Sequence, residues 1–279
     1  MMLGKCVGVG SSCEVYEWGE HTGKVVKLYH SNWRQEDVQR EYRNCSVAWN
    51  SSLPVPRPYE MVTWEDRHGI VYEGIAGETL VNRIIQSLHA LEPYDVDEEN
   101  HELRQYARVL NAIHHASGEG IMTSQRDNLK AIIGHPAPLT IDELAELHAY
   151  LDRLPIKKQL CHGDTNFSNL LIDGDRLVMI DWMHAAIGNP EADVAEVCVA
   201  IEYASLPPET PAEVDRYFQS VRQTAYRIFV DEYCKLSGIT EAEIRAWYPP
   251  VAARSMASGA LSAEHVKKLA EMIRERIMG

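Results

Sequence analysis

Leu160-Cys161-His162-Gly163-Asp164-Thr165-Asn166-Phe167-Ser168-Asn169-Leu170-Leu171-Ile172 is followed by Asp173-Gly174 and then by Leu177-Val178-Met179-Ile180-Asp181-Trp182. Asp-Gly between two short apolar runs is a hairpin signal, because Gly supplies the positive φ that a tight turn needs. A hairpin brings its open ends together. Asn169, at the start of the first run, and Asp181, at the end of the second, are therefore expected to meet. Asp164 lies five residues before Asn169, across a loop of small and polar residues. One amide oxygen and two carboxylates then converge. Hard oxygen ligands of this kind suit Mg²⁺, which takes one or two protein carboxylates and completes its shell with water and phosphate.

His162-Gly163-Asp164, then Asn169, then Ile180-Asp181-Trp182 resemble the catalytic segment of the aminoglycoside phosphotransferase family. These are small-molecule kinases with a protein-kinase-like fold. The resemblance implies a bilobal α+β architecture: a five-stranded antiparallel N-lobe sheet with one helix, over residues 1–75, and a mainly helical C-lobe, over 76–279. It implies that Asp164 orients or deprotonates the acceptor hydroxyl, that Asn169 and Asp181 hold Mg²⁺, and that His162 shapes the loop. Gly188-Asn189-Pro190-Glu191-Ala192-Asp193-Val194-Ala195 resembles a further family segment. There Asp193 would cap a helix and support the catalytic loop from behind. Asp193 follows Asp181 by twelve positions, too few for a long activation loop, which favours a small-molecule acceptor over a protein.

Upstream, Val7 to Trp18 reads as strand, Gly-rich turn, strand. Gly8, Gly10, Ser11 and Ser12 form a turn whose backbone N–H groups can approach phosphate. Cys13 stands where the kinase-like pattern has its third Gly. In Lys24-Val25-Val26-Lys27-Leu28-Tyr29, alternation puts Val25, Lys27 and Tyr29 on one face and Val26 and Leu28 on the other. Lys27 is a charge inside an apolar strand and needs a partner if buried. Lys24, at the turn end, is the poorer candidate. Ser31 to Asn50 reads as a helix with Val38, Tyr42, Cys45 and Trp49 on one face. Glu41 borders that face and is the expected partner of Lys27; Glu36 is the alternative. Tyr59–Glu65 and Ile70–Glu73 complete five strands around an Asp66–Gly69 turn. Glu73-Gly74-Ile75 fits the family's hinge, where backbone groups of Glu73 and Ile75 would bind adenine.

Most of the remaining chain reads as helical, with a loop expected over residues 92–99. Capping boxes are expected at Thr140–Glu143, Thr210–Glu213 and Thr240–Glu243. His114 and His115, adjacent on a helix, point apart and suit structural or surface roles. Asp215, Glu232 and Glu264 are candidates to face a cationic acceptor, but solvated helix charges are the simpler reading. Trp182, Trp247 and Tyr248 are assigned to core packing before stacking on an acceptor.

Composition fits a globular protein with 45% apolar and 24% charged residues. A net charge of -14 disfavours nucleic acid and suits a cationic substrate. No apolar run reaches membrane-spanning length, and the first residues lack a signal peptide's apolar core. Six cysteines without a C-x-x-C pair read as buried, reduced thiols in a cytoplasmic protein. The expected activity is transfer of the γ-phosphate of ATP or GTP to a small-molecule hydroxyl, with an aminoglycoside-like cation as one acceptor class. A metabolite kinase of the choline, homoserine or methylthioribose type is the alternative, and a nucleotide-binding module without turnover the rival from another class.

Overall fold

The computed structural model describes residues 3–92, 101–134, 138–206, 209–258 and 261–278. The expected loop at 92–99 lies, beyond Glu92, outside the described residues. The chain opens with β1 (Leu3–Val9), β2 (Cys13–Trp18) and β3 (Lys24–Tyr29), followed by α1 (Gln35–Asn50), β4 (Pro58–Trp64) and β5 (Arg67–Glu73). The strands form one antiparallel sheet in the order β1-β2-β3-β5-β4. Alternation along β3 separates its two faces as expected. Val26 and Leu28 pack with Trp18 and Val71 in a small cluster of their own. Tyr29 instead joins Val38 and Cys45 of α1 in the main core.

Three local expectations are corrected. The helix starts at Gln35, not Ser31. Arg34 is its N-cap, and Glu36 and Asp37 place negative charge in the first turn, where the helix dipole favours it. The β4–β5 turn is Glu65-Asp66, with Glu65 at φ 51°, and not Asp66–Gly69. Gly69 lies inside β5, paired with Leu28 and Val62, where a Cβ would meet the Lys27 carbonyl oxygen at 2.9 Å. Trp49 is exposed, and Ala48 takes the buried place on the helix face.

Beyond the sheet come β6 (Glu78–Thr79), α2 (Leu80–Ala90), α3 (Glu102–His115), α4 (Gln125–Ile133), α5 (Ile141–Arg153), β7 (Gln159–Cys161), β8 (Leu170–Asp173), β9 (Arg176–Met179) and β10 (Ala186–Gly188). Then follow α6 (Pro190–Tyr203), α7 (Ala212–Ser237), α8 (Glu241–Arg245), α9 (Tyr248–Ala257) and α10 (Ala263–Met278). The β8–β9 hairpin is extended by β6, and β7 pairs with β10. Thr140 and Thr240 form capping boxes with Glu143 and Glu243. Thr210 does not: α7 starts one residue later, with Pro211 at the N-cap and no side-chain cap. The fold is thus a mixed α/β, kinase-like one, a five-stranded antiparallel sheet with its helix followed by a mainly helical body. Among the described residues no helix is long and apolar enough to cross a membrane.

Candidate active site

The loop after β7 carries the site. Gly163 has φ 77°, and a Cβ on it would lie 2.3 Å from the His184 carbonyl oxygen, so only Gly fits. Asn166 caps the short 3-10 turn Phe167–Asn169 by accepting the Ser168 N–H at 2.9 Å. The hairpin forms, but its turn is Gly174-Asp175 and not Asp173-Gly174: Asp173 ends β8 opposite Arg176, and Gly174 takes the positive φ of 60°. Its open end is tied by the Ile180 N–H donating to the Asn169 carbonyl at 2.9 Å. Asn169 Nδ2 donates to the Asp164 carbonyl at 3.0 Å and to Asp164 Oδ2 at 2.9 Å. That commits the donor side of the amide to the loop and leaves its Oδ1 as a ligand atom. Asp181 follows Ile180 in a left-handed conformation, φ 64°.

Lys27 and Glu41 meet from β3 and α1. The ammonium donates to both carboxylate oxygens of Glu41 at 2.9 Å and lies 3.1 Å from Asp181 Oδ1. Glu41 is 1% exposed and Lys27 8%, so each charge needs the other. Two tyrosines complete the shell of Glu41: the hydroxyls of Tyr29 and Tyr72 donate to it, the latter at 3.1 Å. Burial pushes the Lys27 ammonium down, but Glu41 and Asp181 outweigh it and hold the group well above its ordinary value. Burial likewise pushes Asp181 up, and Lys27 brings it below the usual carboxylate range. Lys27 is therefore charged, and two carboxylates share it. That excess of negative charge is the electrostatic complement of a cation. Glu36, the alternative partner, lies on the exposed first turn near Arg34. Lys24 sits over the Tyr59 ring, 4.0 Å from its centroid.

Gly8 lies in β1 opposite Val15. The Gly10 N–H donates to the Cys13 carbonyl at 2.8 Å, closing a turn that has Ser11 and Ser12 at its tip. Glu73 ends β5; its N–H donates to the Arg57 carbonyl and that of Gly74 to the Gly23 carbonyl. Ile75 follows in the extended connection to β6. Of the cysteines, Cys13, Cys45, Cys161 and Cys198 are buried, but Cys6 is exposed and Cys234 half-buried, against expectation.

Support for the loop comes from α6. Asp193 accepts the N–H of His162 at 2.6 Å and of Gly163 at 3.1 Å, and faces His114 Nε2 at 3.2 Å. It sits in the first turn of α6 but does not cap it; Asn189 is the N-cap residue. His114 is buried and also meets the Tyr233 hydroxyl at 2.7 Å, whereas His115 is exposed. His162 is fully buried and pushed below its ordinary pKa by burial, hence neutral. Its Nε2 is 3.0 Å from the Ile180 carbonyl, which assigns the proton to Nε2. Nδ1 then accepts the Asp164 N–H at 3.3 Å.

Sequence reasoning missed Glu196 and Arg254. Arg254 of α9 lies 3.0 Å from Asp164 Oδ1 and 2.8 Å from Glu196 Oε1, and it also donates to the Gly163 carbonyl. Each is the lone charge in an apolar helical run, Val194–Ile201 and Val251–Met256. That pattern is a signal, since lone buried charges need partners. The candidate acceptor-facing acids are placed elsewhere. Glu232 is buried and pairs with Arg104 and Arg108. Glu264 is exposed beside Lys268. Asp215 is in the first turn of α7, near Gln219. Trp182, Trp247 and Tyr248 are all in the core.

Asn169 Oδ1 and the Asp181 carboxylate, at the two ends of a hairpin tied by the Ile180 N–H to the Asn169 carbonyl, offer only oxygen, and that donor chemistry fits Mg²⁺. Such a donor set next to a paired lysine is the arrangement of a phosphotransferase. The family model of the phosphotransferase enzyme family, APH, matches residues 7–229, and the chain belongs to that family. No curated protein matches it in sequence. Among solved structures, aminoglycoside phosphotransferase APH(4)-Ia is similar, with a TM-score of 0.64 at 18% identity over 99% of this chain and 93% of that one. Amicoumacin kinase hAmiN, in complex with AMP-PNP, Ca²⁺ and Ami, gives 0.57 at 15% identity, over 97% of this chain and 86% of that one. A choline/ethanolamine kinase family protein from Mesorhizobium loti gives 0.55 at 13% identity, over 100% and 89%. At these identities the likeness is one of fold.

Proposed function

We propose that this protein transfers the γ-phosphate of ATP or GTP to a hydroxyl of a small molecule. Residues 1–75 form the nucleotide-binding lobe in this reading, and 76–279 carry the catalytic loop, the metal ligands and the acceptor pocket. The observation that carries it is the convergence of Asp164, Asn169 and Asp181 with the Lys27–Glu41 pair. Family membership and neighbours crystallised with nucleotides support it.

Lys27 arrives charged and fixed by Glu41, fit to hold the α- and β-phosphates. Gly8, Gly10, Ser11 and Ser12 present backbone N–H groups to the phosphates, and the Glu73 carbonyl and Ile75 N–H receive the base. Asn169 and Asp181 would hold Mg²⁺, which when bound supplies neutralisation of phosphate charge. Asp164 accepts and orients the acceptor O–H. The new bond is from acceptor oxygen to γ-phosphorus, the broken one from γ-phosphorus to the nucleotide's bridging oxygen, and the hydroxyl proton leaves through Asp164. Catalysis is then mostly positioning and charge neutralisation.

Only the short turn Trp182–His184 and β10 lie between Asp181 and α6, which favours a small acceptor. Net charge suits an aminoglycoside-like cation, while a choline/ethanolamine kinase family neighbour favours a metabolite alcohol. We place the reaction in the cytoplasm, where nucleoside triphosphates are abundant and buried thiols stay reduced. The test is Mg²⁺-dependent phosphotransfer from ATP and GTP across aminoglycosides and hydroxylated metabolites. Transfer to one class establishes the reading; nucleotide binding with no transfer to any of them would move the protein to a non-catalytic role.

A further inference from the structure

Three consecutive residues of the catalytic loop end on one ion pair. Arg254 reaches the Gly163 carbonyl through Nη1, and Asp164 Oδ1 and Glu196 Oε1 through Nη2. The other oxygen of Glu196 accepts the Thr165 N–H at 2.7 Å and lies 2.9 Å from the Thr165 hydroxyl, whose proton it shares with the Asp193 carbonyl at 2.7 Å. The pair bridges α9 and α6 and grips residues 163, 164 and 165 together. The guanidinium is mostly buried, its side chain 17% exposed, and its fork already serves three acceptors. It is committed to the loop and not to an incoming ligand.

The carboxylate of Asp164 is held from three sides. Oδ1 accepts from Arg254 and, at 3.1 Å, from Asn166 Nδ2; Oδ2 accepts from Asn169 Nδ2. A carboxylate offers about four in-plane lone-pair sites. Among the described residues three are filled, and the fourth is on Oδ2. We infer that Arg254, anchored by Glu196, is a positioning residue that fixes the Asp164 carboxylate so that Oδ2 receives the acceptor hydroxyl. This rests on the phosphotransfer reading. One guanidinium between two carboxylates also leaves one net negative charge at the loop, as a proton-accepting group requires. Without the fork, Glu196 and Asp164 would face each other as like charges, and Asp164 would lose the contact that fixes Oδ1.

The test uses the full chain with Arg254→Met, Arg254→Lys and Glu196→Gln. Thermal unfolding establishes that each variant folds. Hydrogen exchange is read on the peptide spanning the catalytic loop and, as a control, on the peptide spanning β3. Mg²⁺–ATP binding is titrated, and single-turnover release of inorganic phosphate from ATP, with water as the acceptor, is timed. Arg254→Met should speed exchange at Gly163–Thr165 by at least tenfold and leave β3 unchanged. It should keep the nucleotide Kd within about twofold while phosphate release falls roughly 10²-fold, the low end of what a lost acid–base group costs. Arg254→Lys keeps the charge but not the fork, and should recover part of both effects. Unchanged exchange in the loop, or phosphate release at the wild-type rate in Arg254→Met, overturns the inference. A wild type that binds no nucleotide would defeat the phosphotransfer reading instead, and the exchange readout would still decide whether Arg254 holds the loop.

Discussion

A buried ion pair and a largely buried one converge on this site, and they were built in different ways. Lys27–Glu41 joins a strand to the helix that follows it, fourteen residues on. Arg254–Glu196 joins two helices across fifty-eight residues of chain. Each cation has two carboxylates, Glu41 and Asp181 at Lys27 and Glu196 and Asp164 at Arg254, but only the second pair also binds backbone, at the Gly163 carbonyl and the Thr165 N–H. The second is enclosed by the loop it supports. On the proposed function the N-terminal pair holds an arriving phosphate, whereas the C-terminal pair holds the protein's own backbone. Effects of substitution should divide along that line, into nucleotide binding on one side and turnover without nucleotide loss on the other.

The largest expected effect is that of Asp181→Ala. It removes the proposed anionic metal ligand and one of the two carboxylate partners of Lys27, so Mg²⁺-dependent nucleotide turnover should be abolished. Wild-type activity across a Mg²⁺ titration would show that Asp181 is no ligand. Lys27→Ala comes next and should raise the nucleotide KM or lower kcat, with Glu41→Ala acting in the same direction more mildly. A double-mutant cycle should give a coupling of about 0.5–3 kcal/mol, as for groups in contact. Additivity would break the comparison by making the N-terminal pair a bystander.

The smallest effect is one of pH and belongs to the C-terminal pair. Burial raises Glu196 from 4.5 to about 6, with Arg254 opposing and Asp164 adding to the rise. The folded chain then binds this proton more tightly than the unfolded chain does. Stability from Glu196 is therefore fully present below pH 4.5 and is lost as pH rises to about 6. At 1.36 kcal/mol per pH unit, the loss is about 2 kcal/mol. Unfolding of wild type and Glu196→Gln, compared between about pH 3.5 and 7, should show the wild type losing that much relative to the variant. A pH-independent difference between the two would mean that Glu196 does not titrate in this range.

Legibility in the sequence followed distance along the chain. Asp164, Asn169 and Asp181 lie within eighteen residues and a hairpin joins them, so turn chemistry was enough to bring them together. Lys27 stood out as a charge in an apolar strand, and Glu41 as a carboxylate beside an apolar helix face. Glu196 and Arg254 carried the same kind of signal, but nothing local says that α6 and α9 are neighbours. The hydroxyls of Tyr29 and Tyr72 on Glu41 were hidden for another reason: a buried tyrosine reads as core, and its polar end finds a partner only in the folded sheet. Strands β6, β7 and β10 are two or three residues long and leave no period to read. The Thr210–Glu213 spacing misled because α7 begins at Ala212: Pro211 is the N-cap, and Thr210 lies one residue too early to cap it.

Asp164→Asn separates turnover from nucleotide binding, since it keeps the shape of the side chain and removes its charge. Single-turnover phosphotransfer is measured beside a Mg²⁺–ATP titration, with an acceptor taken from the panel above. Transfer should fall roughly 10²–10⁴-fold, the range for a lost general acid–base group. Nucleotide affinity should stay within about twofold, because Lys27, Asn169, Asp181 and the Gly-rich turn are intact. Transfer at the wild-type rate in Asp164→Asn would contradict the account and remove Asp164 from the reaction.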